Sequence, residues 1–142
     1  MLIEKPYKIA LIDDEPSQVE LLQRALRKVD RVTPVTFTHP EKALEAIEKD
    51  RIRGVITDIN MGNYFGDDLL RACNALHLGI QVYVVTGQDS MLIADRCLNL
   101  GARSVIKKPI DIATIRKVAE EIADHLDQWN SIIHDVAKRK AG

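Results

Sequence analysis

The chain has little of what would mark it for an unusual environment. Its 142 residues include only two cysteines, Cys73 and Cys97. They stand alone without metal-ligand spacing and read as reduced, buried thiols of a cytosolic protein. No apolar run approaches the ~18 residues of a membrane span, and the N-terminal MLIEKPYK has no long apolar stretch of the secretory kind. Twenty Lys and Arg stand against 21 Asp and Glu, so there is no basic excess of the sort that marks nucleic-acid binding. His39, His77, His125 and His134 show no ligand spacing. There is no Pro/Gly/Ser-rich linker before about residue 139, no low-complexity tract and no internal repeat. What is present, 46% apolar and 29% charged residues, describes a soluble, cytoplasmic single domain.

The apolar residues alternate between two periods. Lys8 to Ile12 is a short apolar run that breaks at Asp13-Asp14-Glu15, as a strand covered on both faces would. Pro16 then opens a helix at the position where its missing N–H costs nothing, with Val19, Leu22, Ala25, Leu26 and Val29 inward. The unit recurs four times. Strands are expected at Val35–Phe37, Gly54–Thr57, Ile80–Val85 and Ser104–Ile106, and helices at Pro40–Lys49, from Asp67 to Leu76, from Ser90 to Gly101 and from about Ile112. Ser90 is the expected N-cap and Gly101 the C′ residue of the fourth helix. Short links between alternating units imply an α/β fold with a parallel sheet, and no helix-turn-helix is left over.

The residues that follow the strands carry the chemistry. Asp13 and Asp14 follow the first, Asp58 the third, Thr86 the fourth and Lys108 the fifth. In an open parallel sheet, ligands bind outside the carboxyl ends of the strands. An Asp after one strand is usually a turn residue or cap; here acids, a hydroxyl and an ammonium meet at four strand ends. Three carboxylates sharing a small volume require a proton or a cation, and Mg²⁺ suits such oxygen donors. A carboxylate with a free oxygen is a nucleophile toward phosphorus. Lys108 and the Thr86 hydroxyl would then stabilise charge on phosphoryl oxygens.

Ile12-Asp13-Asp14-Glu15, Asp58-Ile59-Asn60-Met61 with Gly66, Thr86-Gly87, Gly101-Ala102 and Lys108-Pro109 together resemble the receiver domains of bacterial two-component response regulators, over about residues 7 to 126. The resemblance implies a doubly wound, flavodoxin-like five-stranded parallel sheet of order 2-1-3-4-5 with Asp58 as phosphoacceptor. It implies Mg²⁺ held by Asp14, Asp58 and the Asn60 backbone carbonyl, with Asp13 acting through water. It also implies a cis Lys108–Pro109 bond, a sensor histidine kinase or phosphotransfer protein as partner, and Asn60 and Gln88 beside the path of a hydrolytic water. Three departures stand out: Gly62 where the family has Pro, Phe65 before Gly66 beside Asn63 and Tyr64, and Val105 where an aromatic residue usually reports phosphorylation. A valine cannot make that rotamer switch, so Met91, Leu92 or another fourth-helix residue must carry the signal, or the coupling is weak.

From Ile112, apolar residues recur at Ile115, Ala119, Ile122, Leu126, Trp129, Ile133 and Val136, in steps of three and four, a heptad-type seam. Such a helix outruns a sheet, so the expectation is a receiver domain at 1–126 and a continuous helical extension at 127–142. Trp129, Ile133 and Val136 would then overhang, available to fold back, to lead into an output domain or to form a homodimer. The basic Lys138-Arg139-Lys140 suits a helix C-terminus. The switch reading describes a phosphoacceptor rather than a turnover enzyme, with no nucleic acid or membrane as partner. Two others remain: a phosphorylation-independent interaction module, and a haloacid-dehalogenase-like phosphohydrolase, which needs an acid two residues after the nucleophile where this chain has Asn60.

Overall fold

The computed structural model describes residues 2–61 and 64–141. Strands and helices alternate as β1 Tyr7–Ile12, α1 Pro16–Leu26, β2 Val32–Phe37, α2 Pro40–Lys49, β3 Gly54–Asp58, α3 Gly66–Ala75, β4 Gln81–Thr86, α4 Met91–Asn99, β5 Ser104–Lys107 and α5 Ile112–Ala141. All five strands pair in parallel, and the sheet runs β2, β1, β3, β4, β5, the doubly wound order expected. A two-residue antiparallel hairpin, Asn60–Met61 with Tyr64–Phe65, precedes α3. The loop-tip features at Gly62 and Asn63 and the side chains of Tyr64 and Phe65 lie outside the described residues.

The continuous apolar strands are explained by a core on each face of the sheet. Ile9, Leu11, Ile56, Tyr83 and Val85 face the cluster built with α1 and α5. Their neighbours Ala10, Ile12, Val55, Val82 and Val84 face the cluster under α2, α3 and α4. Period-two alternation therefore buries all of β3, β1 from Ile9 onward and β4 from Val82 onward. Pro34 sits in β2, which pairs only with β1, and an edge strand tolerates its missing N–H. A Cβ on Gly54 would lie 2.7 Å from Cγ2 of Ile122, so glycine there lets α5 approach β3 closely.

The punctuation falls where the residues indicate. Pro16 and Pro40 open their helices, and the Ser90 side chain accepts a hydrogen bond from the Ile93 N–H at 3.4 Å. Gly101 adopts φ +103° just past α4, the left-handed C′ conformation that glycine favours. Lys108–Pro109 is cis, and so is Lys5–Pro6.

One expectation changes. Trp129 does not overhang: it packs against the α1/α5 core, and its ring lies 3.0 Å from where a Cβ on Gly79 would be. The segment before β1 reaches further still. Asn130 exchanges two hydrogen bonds with the Ile3 backbone, each 2.8 Å. The Tyr7 hydroxyl donates to Asp127 at 2.5 Å, and Lys5 pairs with the same carboxylate at 3.0 Å. Arg31 joins Asp124, Asp127 and Glu120. The domain thus holds α5 as far as Asn130, and beyond it every described residue except the half-buried Ile133 is exposed. Among the described residues, no helix is long and apolar enough to cross a membrane.

Candidate functional site

Parallel strands all end at one edge, and the polar residues that follow them are therefore brought together. Asp13 and Asp14 leave β1, Asp58 ends β3, Thr86 ends β4 and Lys108 follows β5. Carboxylate oxygens of Asp13, Asp14 and Asp58 all lie within 4.8 Å of one another. Among the described residues this is the one group of acids, histidines or cysteines able to hold a metal ion. Asp13 and Asp58 are buried and Asp14 is exposed, so the cluster opens to solvent on one side.

Lys108 closes the other side. Its Nζ lies 3.4 Å from an oxygen of Asp13 and 3.4 Å from an oxygen of Asp58. Its backbone N–H donates to the Thr86 carbonyl at 2.8 Å, which ties the end of β5 to the end of β4. The buried Thr86 hydroxyl accepts the Gln88 N–H at 3.1 Å. The Glu15 N–H donates to Asp13 at 3.0 Å and fixes its carboxylate at the start of α1. Asn60 is exposed on the short hairpin. Asn60, Gln88, Ile59 and Ile93 line a cavity of about 290 Å³ between this loop and α4.

The electrostatics are out of balance. Burial pushes the Asp58 carboxyl above its ordinary range; Lys108 opposes this and Asp13 adds to it. Asp13 is raised for the same first reason, against the Glu15 N–H and Lys108. Burial works against the Lys108 charge, yet the Asp58 and Asp13 carboxylates outweigh it and hold the ammonium above its usual range. One cation faces three carboxylates, leaving about two negative charges in a half-enclosed oxygen cluster when all are ionised. That donor set fits a hard divalent cation.

Glycine sets the acceptor loop. The Gly66 N–H donates to the Ile59 carbonyl at 2.6 Å, and a Cβ on Gly66 would lie 2.8 Å from Ile59 Cα and 2.9 Å from the Asp58 carbonyl oxygen. The start of α3 therefore rests directly on the acceptor backbone. The next residue, Asp67, is buried and paired with Arg96 of α4. The sequence reading missed this pair, because partners 29 residues apart leave no local signature and an acid in a first turn suits the helix dipole anyway. Cys73 and Cys97 are buried and free, and burial pushes the Cys73 thiol up to about 11. Val105 is half-buried against the α2/α3/α4 core.

Comparison with known proteins agrees with this geometry. The family model for the response regulator receiver domain matches residues 9–120. The two-component response regulator ORR2 of Oryza sativa subsp. indica is 32% identical over 117 residues, covering 79% of this chain and 45% of that protein. The transcriptional regulatory protein FixJ of Rhizobium meliloti is 28% identical over 123 residues, covering 84% of this chain and 58% of that protein. The chain thus spans about half the length of these relatives. A CheY-like response regulator receiver domain protein from Methanospirillum hungatei superposes with a TM-score of 0.78 at 22% identity, over 86% of this chain and 97% of that one. The chain belongs to the response regulator receiver domain family of two-component signalling.

Proposed function

We propose that the chain is a Mg²⁺-dependent switch in which Asp58 accepts a phosphoryl group from a sensor histidine kinase or phosphotransfer protein. The observation that carries this is the shared position of Lys108, 3.4 Å from both Asp13 and Asp58, in a cluster of three carboxylates. Asp14, Asp58 and the Asn60 backbone carbonyl would hold the ion, with Asp13 acting through water. When bound, Mg²⁺ supplies the positive charge that lets all three acids ionise and that screens phosphoryl oxygens.

The chain's own groups divide the work. A free Asp58 oxygen attacks phosphorus, forming the new P–O bond as the donor's P–N bond breaks and the leaving imidazole takes up a proton. Lys108 shifts from the free carboxylate to the incoming phosphoryl oxygens, and the Thr86 hydroxyl donates to them. Asn60 and Gln88, at the edge of the adjoining cavity, position the water that later hydrolyses the acyl phosphate. The chain acts as a phosphoacceptor that loses its phosphoryl group by autodephosphorylation, rather than as a turnover enzyme. It works in the cytoplasm without nucleic-acid or membrane contacts of its own. We take residues 1–126 as the receiver unit and 127–142 as its helical extension, of which Asp127, Trp129 and Asn130 pack back on the domain and the exposed remainder is the contact of a homodimer.

Intact mass after incubation with Mg²⁺ and acetyl phosphate tests the reading. One phosphoryl group should be gained, only with Mg²⁺, and not by Asp58→Asn. No gain by the wild type, with active donor, would make the chain a phosphorylation-independent interaction module.

A further inference from the structure

Receiver-type output needs a path from the acceptor to a movable surface, and Val105 closes one such path. The structure holds another, through α3. Gly66 leaves no slack: its N–H is 2.6 Å from the Ile59 carbonyl oxygen, and the space its Cβ would fill is already bounded by the Asp58 and Ile59 backbone at 2.9 and 2.8 Å. A backbone shift at Asp58 must therefore move the first turn of α3. Asp67, in that turn, is only 4% exposed. One of its carboxylate oxygens accepts from Arg96 Nε at 3.1 Å and from Arg96 Nη2.

The other end of the pair sits on a loosely held helix. Cys97 is the one buried residue of α4; Ile93 and Leu100 are partly buried against the core. Met91 and Leu92 are 89% and 82% exposed. Apart from the pair with Asp67, the side-chain hydrogen bonds described for α4 stay within it or its cap, Asn99 with Asp95 and Ser90 with the Ile93 N–H. The cavity of about 290 Å³, lined also by Asp67 and Arg96, leaves α4 room to move.

We propose that the Asp67–Arg96 ion pair is a latch that fixes α4 against the acceptor loop, and that phosphorylation opens it by displacing the first turn of α3. This rests on Asp58 being the phosphoacceptor. A latch closed in the resting form and opened by phosphorylation obeys linkage: whatever opens it must favour phosphorylation by the same factor. Asp67 and Arg96 are positioning residues here, acting through Gly66 and α4 rather than on phosphorus.

Four variants test it: Asp67→Asn, Arg96→Gln, both together, and Arg96→Lys. In unphosphorylated protein, hydrogen exchange of α4 amides should speed up about fivefold in Asp67→Asn and in Arg96→Gln, the low end of allosteric couplings. It should go no further in the double variant and should stay near wild type in Arg96→Lys. Amides of β4 should not change. With Mg²⁺, the affinity for beryllofluoride, a phosphoryl mimic that binds Asp58 reversibly, should rise by a similar factor in Asp67→Asn, Arg96→Gln and the double variant. Arg96 is mostly exposed, so Arg96→Gln keeps the fold even if Asp67→Asn does not. Unchanged α4 exchange, or faster exchange in β4 as well, overturns the latch. Faster α4 exchange with wild-type beryllofluoride affinity overturns its coupling to Asp58. A wild type that takes no phosphoryl group at all overturns the reading of Asp58 itself, and the coupling with it.

Discussion

Asp58 illustrates how a reactive residue strains against its surroundings. Its carboxyl is buried beside Asp13 and shares one ammonium with it, so its charge costs stability until a cation arrives. Asp58→Asn should therefore raise the stability of Mg²⁺-free protein by about 1 kcal/mol, within the range for relieving a functional site. Thermal melts with and without Mg²⁺ measure this: the ion should raise the wild-type midpoint well and the variant's little. A variant less stable than wild type without Mg²⁺ would mean that Lys108 already balances the cluster. Gly66 and Gly87 make a second contrast. Gly66→Ala drives a methyl into backbone atoms under 3.0 Å away and should cost about 1–3 kcal/mol. Gly87→Ala, with nothing within 4 Å, should stay within about 0.5 kcal/mol; urea denaturation of both variants decides it.

At the scale of elements, the sequence was most legible where one period ruled. Central strands such as Val82 to Val85 are apolar at every position because both faces are covered, and the residue after such a run can only lie at the sheet edge. That is why the positions of Asp13, Asp58, Thr86 and Lys108 in the sequence already imply their shared edge. The clasp between the N-terminal segment and α5 was not legible, because Tyr7 and Asp127 are 120 residues apart and polar contacts carry no period. Its pH behaviour follows from its two ends. The Tyr7 and Lys5 hydrogen bonds hold Asp127 at about 2, below its ordinary 3.8. Its contribution is therefore complete above the unfolded value and is lost as pH falls toward 2. Burial, then Asp127, pushes Tyr7 up to about 12 from 10.0, so the tyrosine end is complete below pH 10 and fails only as pH rises through 12. Asp127→Asn should lower stability by about 1 kcal/mol, allowing for solvent screening of a carboxylate one-third exposed. Melts from pH 3 to 9 check the shape: a constant gap between wild type and variant above about pH 4, narrowing below it. A gap that does not narrow would place the stabilisation in packing rather than in charge.

At the scale of the whole molecule, the heptad-type seam of α5 is mostly consumed at home. Ile115, Ala119, Ile122 and Leu126 are buried in the α1/α5 core, and Trp129 packs against it. Past Asn130 only Ile132, Ile133 and Val136 remain to face a partner, with Ile132 and Val136 exposed. The segment from Ser131 to Ala141 is about 16 Å long at 1.5 Å per residue, fewer than two heptads, where a coiled coil needs about three or four. Association through this segment should therefore be weak and depend on concentration. Sedimentation at about 10 μM should show monomer, and at about 1 mM a dimer fraction that Ile132→Glu with Val136→Glu abolishes. The fold should not need the overhang, because among the described residues the Asn130 and Asp127 contacts are the last hydrogen bonds and ion pairs from α5 to the rest of the domain. Truncation after Asn130 should accordingly leave the melting midpoint within about 2 °C while abolishing dimerisation, whereas Asn130→Ala in the full chain, which leaves the Ile3 backbone groups without their partner, should cost about 1 kcal/mol or more. Monomer at every concentration would remove the helix from the list of contacts and leave the loosely held α4 as the surface through which the switch is read.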